Sequence, residues 1–177
     1  MSTLLVVHHS PTRSVRALTD AVLAGARDDA LEGVTVRAVS ALEATAADVL
    51  GADGIVLGTS ANFGYMSGAL KHFFDSTFLE IGGSLDDGGT AGAGTTTGTG
   101  STTDATADTG SGRRVPFGLY VHGRYDTEGA VRSVLSIAGA LPWRQSADVL
   151  SVLGEVDGRD EAAAYELGGT IAALTIT

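Results

Sequence analysis

The chain has 177 residues, 44% of them hydrophobic and 18% charged, which is enough apolar material for one well-buried domain. Eleven Lys plus Arg against 21 Asp plus Glu give a formal net charge of −10, which argues against nonspecific partnership with nucleic acid or an anionic membrane. The absence of cysteine excludes disulfide scaffolds, thiol nucleophiles, thiolate metal sites and iron–sulfur ligation together.

In chain order, Leu4-Leu5-Val6-Val7 is a short continuous apolar run, the pattern of a strand buried on both faces. This four-residue apolar run before His8 and His9 is short and has no basic leader, so no secretory signal is read and a cytoplasmic location is expected. Val15, Leu18, Val22, Leu23 and Ala26 recur at helical spacing, and Val34, Val36 and Val39 suggest a second strand. Residues 44–50 read as a short helix, and Ile55, Val56 and Leu57 between Gly54 and Gly58 as a third strand. Leu70, Phe73, Phe74, Thr77 and Phe78 form an apolar stripe on a helix that starts near Ser67.

Composition then changes abruptly. Residues 82–112 hold 10 Gly, 9 Thr, 4 Ala, 4 Asp and 3 Ser, with Leu85 the one large apolar side chain. Ordering a backbone costs about 1–2 kcal/mol per residue, which this segment has no apolar area to offset. A disordered insertion within a single domain, residues 1–177, is expected. Beyond it, Phe117, Leu119 and Val121 mark a strand over 115–122, and Val131, Val134, Leu135 and Ala138 a helix face. Residues 149–153 read as the last strand and 163–174 as the last helix, with Leu167, Ile171 and Leu174 inward. The acidic residues Asp157, Asp160 and Glu161 stand near that helix's start, where carboxylates favour the dipole; they do not make a metal site.

Five strand signals alternating with helices predict an α/β fold with a parallel sheet covered on both faces. Right-handed crossovers and this length favour a doubly wound five-stranded order, 2-1-3-4-5. Ligands of such sheets sit beyond the carboxyl ends of the strands, which selects three loops: 8–14, 59–66 and 122–127. In the first, Ser10, Thr12 and Ser14 offer hydroxyls, Arg13 a charge, and the amides through Val15 a helix N-terminus, together suited to phosphate. An ordinary helix cap explains the same residues. His8 and His9 point to opposite sides of a strand, so they are not read as a chelating pair, and no metal site is evident. No GxGxxG opens the first helix, and GxxxxGK[ST], GxSxG and HExxH are absent.

The second loop, Gly58-Thr-Ser-Ala-Asn-Phe-Gly-Tyr-Met-Ser-Gly-Ala-Leu-Lys-His-Phe-Phe-Asp75, resembles the GTPTxFGNMSGxLKxFxD stretch of flavodoxin-like quinone reductases and NAD(P)H-dependent FMN reductases. Ser60 stands where that family has Pro, and Tyr65 where it has Asn. The resemblance implies a flavodoxin-like three-layer sandwich holding FMN noncovalently, with Ser10, Thr12, Arg13, Ser14 and Val15 at its phosphate. It places Ser60, Ala61, Asn62, Phe63 and Gly64 along the isoalloxazine edge, and His122, Gly123, Arg124 and Tyr125 in a loop closing over the ring. His122 or Arg124 near the pyrimidine end would favour the reduced, anionic cofactor. The implied activity takes a hydride from NADH or NADPH and passes electrons to a quinone or similar acceptor; no catalytic side chain is assigned. A flavodoxin-type FMN carrier serving a redox protein fits the acidic charge equally well, and a flavodoxin-like domain without redox activity is a third reading. By the same resemblance a homodimer or homotetramer is possible, with Tyr65 and Trp143 as candidate interface residues.

Overall fold

The computed structural model describes residues 1–83 and 114–176. The Gly/Thr-rich segment 82–112 therefore lies, from residue 84 onward, outside the described residues. Elements follow in the order β1 (Ser2–His8), α1 (Arg13–Ala26), β2 (Val34–Ser40), α2 (Ala46–Leu50), β3 (Gly54–Ser60), α3 (Gly68–Thr77), β4 (Val115–Gly123), α4 (Glu128–Gly139), β5 (Trp143–Gln145), β6 (Leu150–Leu153) and α5 (Gly158–Thr175). The strands pair in the order β2-β1-β3-β4-β5, with β6 also on β4, and every pairing is parallel. This is the five-stranded 2-1-3-4-5 sheet, its fifth strand broken into two pieces along one neighbour.

Strand alternation divides the core into two. Leu5, Val7, Ile55, Leu57, Phe117, Leu119 and Val121 face one layer, where they meet Leu70, Phe73 and Phe74 of α3 and Val134 of α4. Leu4, Val6, Val56 and Tyr120 face the other, under Val15, Leu18 and Val22 of α1 and Leu167 and Ile171 of α5. Helices cover both faces, which is why β1 and β3 carry no polar alternation.

Small residues set how closely the second layer packs. A Cβ on Gly168 of α5 would collide with the Val22 carbonyl of α1, and one on Gly25 of α1 with the Tyr165 carbonyl of α5. The two helix backbones therefore touch directly. Gly58 leaves room for the Tyr120 ring lying against it.

Two expectations change. Helix α5 starts at Gly158, a turn earlier than its apolar stripe suggests, because Asp157 caps it. The Asp157 carboxylate accepts from the amides of Arg159 (2.8 Å) and Asp160 (3.1 Å), while Asp160 reaches back to the Asp157 amide at 3.0 Å. Trp143 is 4% exposed, its ring 5.9 Å from Phe117 and 6.5 Å from Phe74, so it is a core residue of this chain rather than an interface residue.

Candidate functional site

The loops after β1, β3, β4 and β6 surround one cavity of about 480 Å³ at the carboxyl edge of the sheet, lined by Thr12, Ser14, Asn62, His122, Arg124, Tyr125, Gly154 and Glu155. Backbone bonds tie these loops together. The His9 amide donates to the Gly58 carbonyl (3.0 Å), Ala61 to His122 (2.8 Å), Gly64 to Ala61 (3.1 Å) and Gly154 to Gly123 (2.9 Å). The Gly64 turn needs φ +72°, a conformation an L side chain rarely adopts. Its carbonyl rests so close to Gly129, in the first turn of α4, that a Cβ there would overlap it. The loop is shaped by backbone contact before any side chain takes part.

One end of the cavity is the N-terminus of α1. Thr12 caps the helix: its hydroxyl accepts from the Val15 amide at 3.3 Å, and its carbonyl from Arg16 at 3.0 Å. The amides of Arg13 and Ser14 have no acceptor among the described residues. Thr12 and Ser14 line the cavity at the positive end of this 14-residue helix, where those two N–H groups are left free.

Ser10 is turned elsewhere. Its hydroxyl lies 2.9 Å from His8 Nδ1 and 2.7 Å from Thr19 Oγ1, which is in turn 2.6 Å from the Tyr120 hydroxyl and 2.9 Å from the Val15 carbonyl. Proton counting fixes the directions. The Val15 carbonyl only accepts, so Thr19 donates to it and accepts from both Ser10 and Tyr120. The Ser10 hydroxyl has then spent its proton and accepts from His8 Nδ1. Burial and the neighbouring His9 hold the His8 ring below the usual imidazole range, against a smaller pull from Asp20. Burial pushes the Tyr120 phenol well above its usual value despite the Thr19 and Ser10 bonds. A second cavity, of about 420 Å³, opens on this side of the β1 loop beside His8, Arg16 and Asp20.

One exposed ring lines the main cavity and another stands on a loop beside it. Tyr125 is 83% exposed with the Arg124 guanidinium 5.8 Å from its centroid, and Phe63 on the β3 loop is 98% exposed. Large aromatics standing in water are free to cover a flat ligand. His122 is buried at the cavity floor, its Nε2 2.7 Å from the Gly154 carbonyl.

Of the residues named from sequence, Thr12, Ser14, Asn62, His122, Arg124 and Tyr125 line this cavity together. Ser10 lines the second one. Arg13 is exposed beside the main cavity without lining it, and the Val15 side chain is core. Ser60, Ala61, Phe63, Gly64 and Gly123 shape the loops without lining the cavity, Ser60 and Ala61 as buried residues. Gly154 and Glu155 were not anticipated. They follow the last strand, so the strand-end rule that selected three loops selects this one as well.

No family model matches the chain. It is similar to a flavodoxin from Aquifex aeolicus (strain VF5), 37% identical over 86 residues, a match spanning 49% of this chain and 45% of that protein. A flavodoxin from the domain Archaea has a TM-score of 0.72 at 15% identity, covering 99% of both chains. The flavodoxin of Streptococcus pneumonia TIGR4 has a TM-score of 0.68 at 16% identity, covering 97% of this chain and 99% of its own. Strand order, helices on both faces and these likenesses agree: the chain has the flavodoxin-like fold.

Proposed function

We propose that this chain binds FMN noncovalently in the 480 Å³ cavity and works as an electron carrier of the flavodoxin type. The observation that carries the reading is the convergence of four strand-end loops on one space with opposite chemistry at its ends. Free amides and hydroxyls at the α1 N-terminus suit a phosphate; the exposed ring of Tyr125 suits a flat heterocycle. The volume lies within the roughly 300–1,000 Å³ of small-molecule sites.

When bound, FMN supplies the storage of electrons. The chain's part is to orient it and set the charge around it. Ser14 and Thr12 hydroxyls with the Arg13 and Ser14 amides hold the phosphate, Asn62 presents a side-chain amide to the cavity, and Tyr125 excludes water. Arg124 adds positive charge that favours added negative charge on a ligand. Glu155 opposes it across the same space.

The 37% identity to a flavodoxin, together with flavodoxins among the like-folded structures, favours the carrier over the reductase. The second reading, an NAD(P)H-dependent FMN reductase serving a quinone, is supported by the long run of similarity from Gly58 to Asp75. A visible spectrum of the protein loaded with FMN and freed of excess tests both, followed anaerobically by NADH, NADPH and then dithionite. Retained flavin that only dithionite bleaches supports the carrier. Bleaching by either nucleotide supports the reductase, and no retained flavin overturns both.

A further inference from the structure

His122 is held in a way that leaves one nitrogen for the cavity. Its Nε2 lies 2.7 Å from the Gly154 carbonyl, which accepts only, so Nε2 carries a hydrogen. In the neutral ring Nδ1 is then a bare lone pair. Nδ1 has no hydrogen-bond partner among the described residues, yet no buried side-chain nitrogen or oxygen is left unpartnered, so Nδ1 reaches solvent. The solvent space that this 8% exposed ring lines is the candidate cofactor cavity. The backbone at both ends of this contact is held, the His122 carbonyl accepting from the Ala61 amide and the Gly123 carbonyl from the Gly154 amide.

Among the described residues, the charges around it are few. Arg124, Tyr125 and Glu155 line the same cavity, and Arg13 stands beside it. The β1 loop brings only the Thr12 and Ser14 hydroxyls and the β3 loop the Asn62 amide. The strand neighbours are Ser60 of β3 and Val152 of β6, which carry no charge. The Asp126 carboxylate is bound to the Glu128 amide at 2.9 Å. His122 is the one imidazole among the cavity's lining residues, and an imidazole gains a proton more readily beside a new negative charge.

We propose that His122 is a proton-coupled group: Nδ1 takes a proton from solvent when the ligand in the cavity gains negative charge and returns it when that charge leaves, while Nε2–H stays on the Gly154 carbonyl. This rests on the FMN reading. The electrons, two in full reduction, come from a redox partner, or from dithionite in the test, and remain on the ligand. The proton comes from water, and Nδ1–H is the only bond made on the protein. Because Nε2 is fixed, protonation changes charge at the cavity floor without breaking the bond that positions the loop after β6.

The test uses full-length protein loaded with FMN, with histidine ring resonances followed by NMR from pH 5.5 to 8.5 in the oxidised and dithionite-reduced states. The expected result is an Nε2–H tautomer in the oxidised protein and a His122 titration about one pH unit higher after reduction, a tenfold gain in proton affinity. By linkage the midpoint potential of the wild type then gains a bend with pH, about 30 mV for that tenfold coupling spread over the two electrons that separate the oxidised from the dithionite-reduced state. His122→Gln, which keeps an N–H donor for Gly154 but does not titrate, loses the bend. Retained FMN with an unmoved His122 titration, or an Nδ1–H tautomer, overturns this proposal alone. Failure to retain FMN overturns the FMN reading and the proposal with it.

Discussion

The Tyr120 hydroxyl donates to Thr19 Oγ1 at 2.6 Å, joining the middle of β4 to α1 across the layer beneath the site loops. Thr19 keeps a second donor in Ser10, so removing the phenol oxygen deletes one bond without stripping the threonine bare. Tyr120→Phe is expected to cost about 1 kcal/mol, the usual net worth of such a bond, read as a lower midpoint in urea with unchanged m.

The same phenol makes stability fall in alkali. Tyr120 is fully buried, and burial raises its ionisation above the unfolded value near 10.0. Unfolding therefore releases a proton only above that pH: the stability is fully present below pH 10 and declines as pH rises beyond it, by about 1.4 kcal/mol per pH unit. Denaturation series at pH 9, 10 and 11 should show this slope in the wild type and its loss in Tyr120→Phe. An identical slope in both would assign it to another group.

Gly168→Ala pits helix propensity against packing. Alanine favours an isolated helix by about 1 kcal/mol, but its Cβ would strike the Val22 carbonyl, and backbone yields less than a side chain. Overpacking of this kind costs about 1–3 kcal/mol. A net loss of stability is expected in thermal or urea unfolding; a gain would mean that α1 and α5 separate easily.

Ser14→Ala and Tyr125→Ala separate the two ends of the cavity. The first should weaken FMN about tenfold while leaving riboflavin within about twofold, as loss of one hydrogen bond to a charged group predicts. The second should weaken both ligands alike, by about 2- to 10-fold. Arg13→Ala, whose charge lies outside the cavity, should act less than Ser14→Ala and fade with added salt. Flavin fluorescence titrations at two ionic strengths read all three.

Much of this was legible in the sequence because burial on both faces leaves unbroken apolar runs. β1 and β3 are such runs, and the sheet order follows from them. β5 was not legible: in Trp143–Gln145 only the tryptophan is buried, and three residues carry no period. The cavity's hydroxyls and rings could be named from loop position, whereas the diversion of Ser10 into the His8–Thr19–Tyr120 chain depends on partners up to 101 residues apart in sequence. Gly154 and Glu155 escaped because the last loop carries no motif, only a place.

The broken fifth strand also bears on self-assembly. Among the described residues, the sheet beyond β4 presents three residues of β5, a gap, and four residues of β6, which offer an incoming chain no long row of free amides and carbonyls to copy. At the opposite margin β2 is seven residues long, but it carries Arg37, anchored at 2.7 Å to Asp48. One margin is guarded by brevity and the other by charge, two ways a sheet avoids edge-to-edge growth into aggregates.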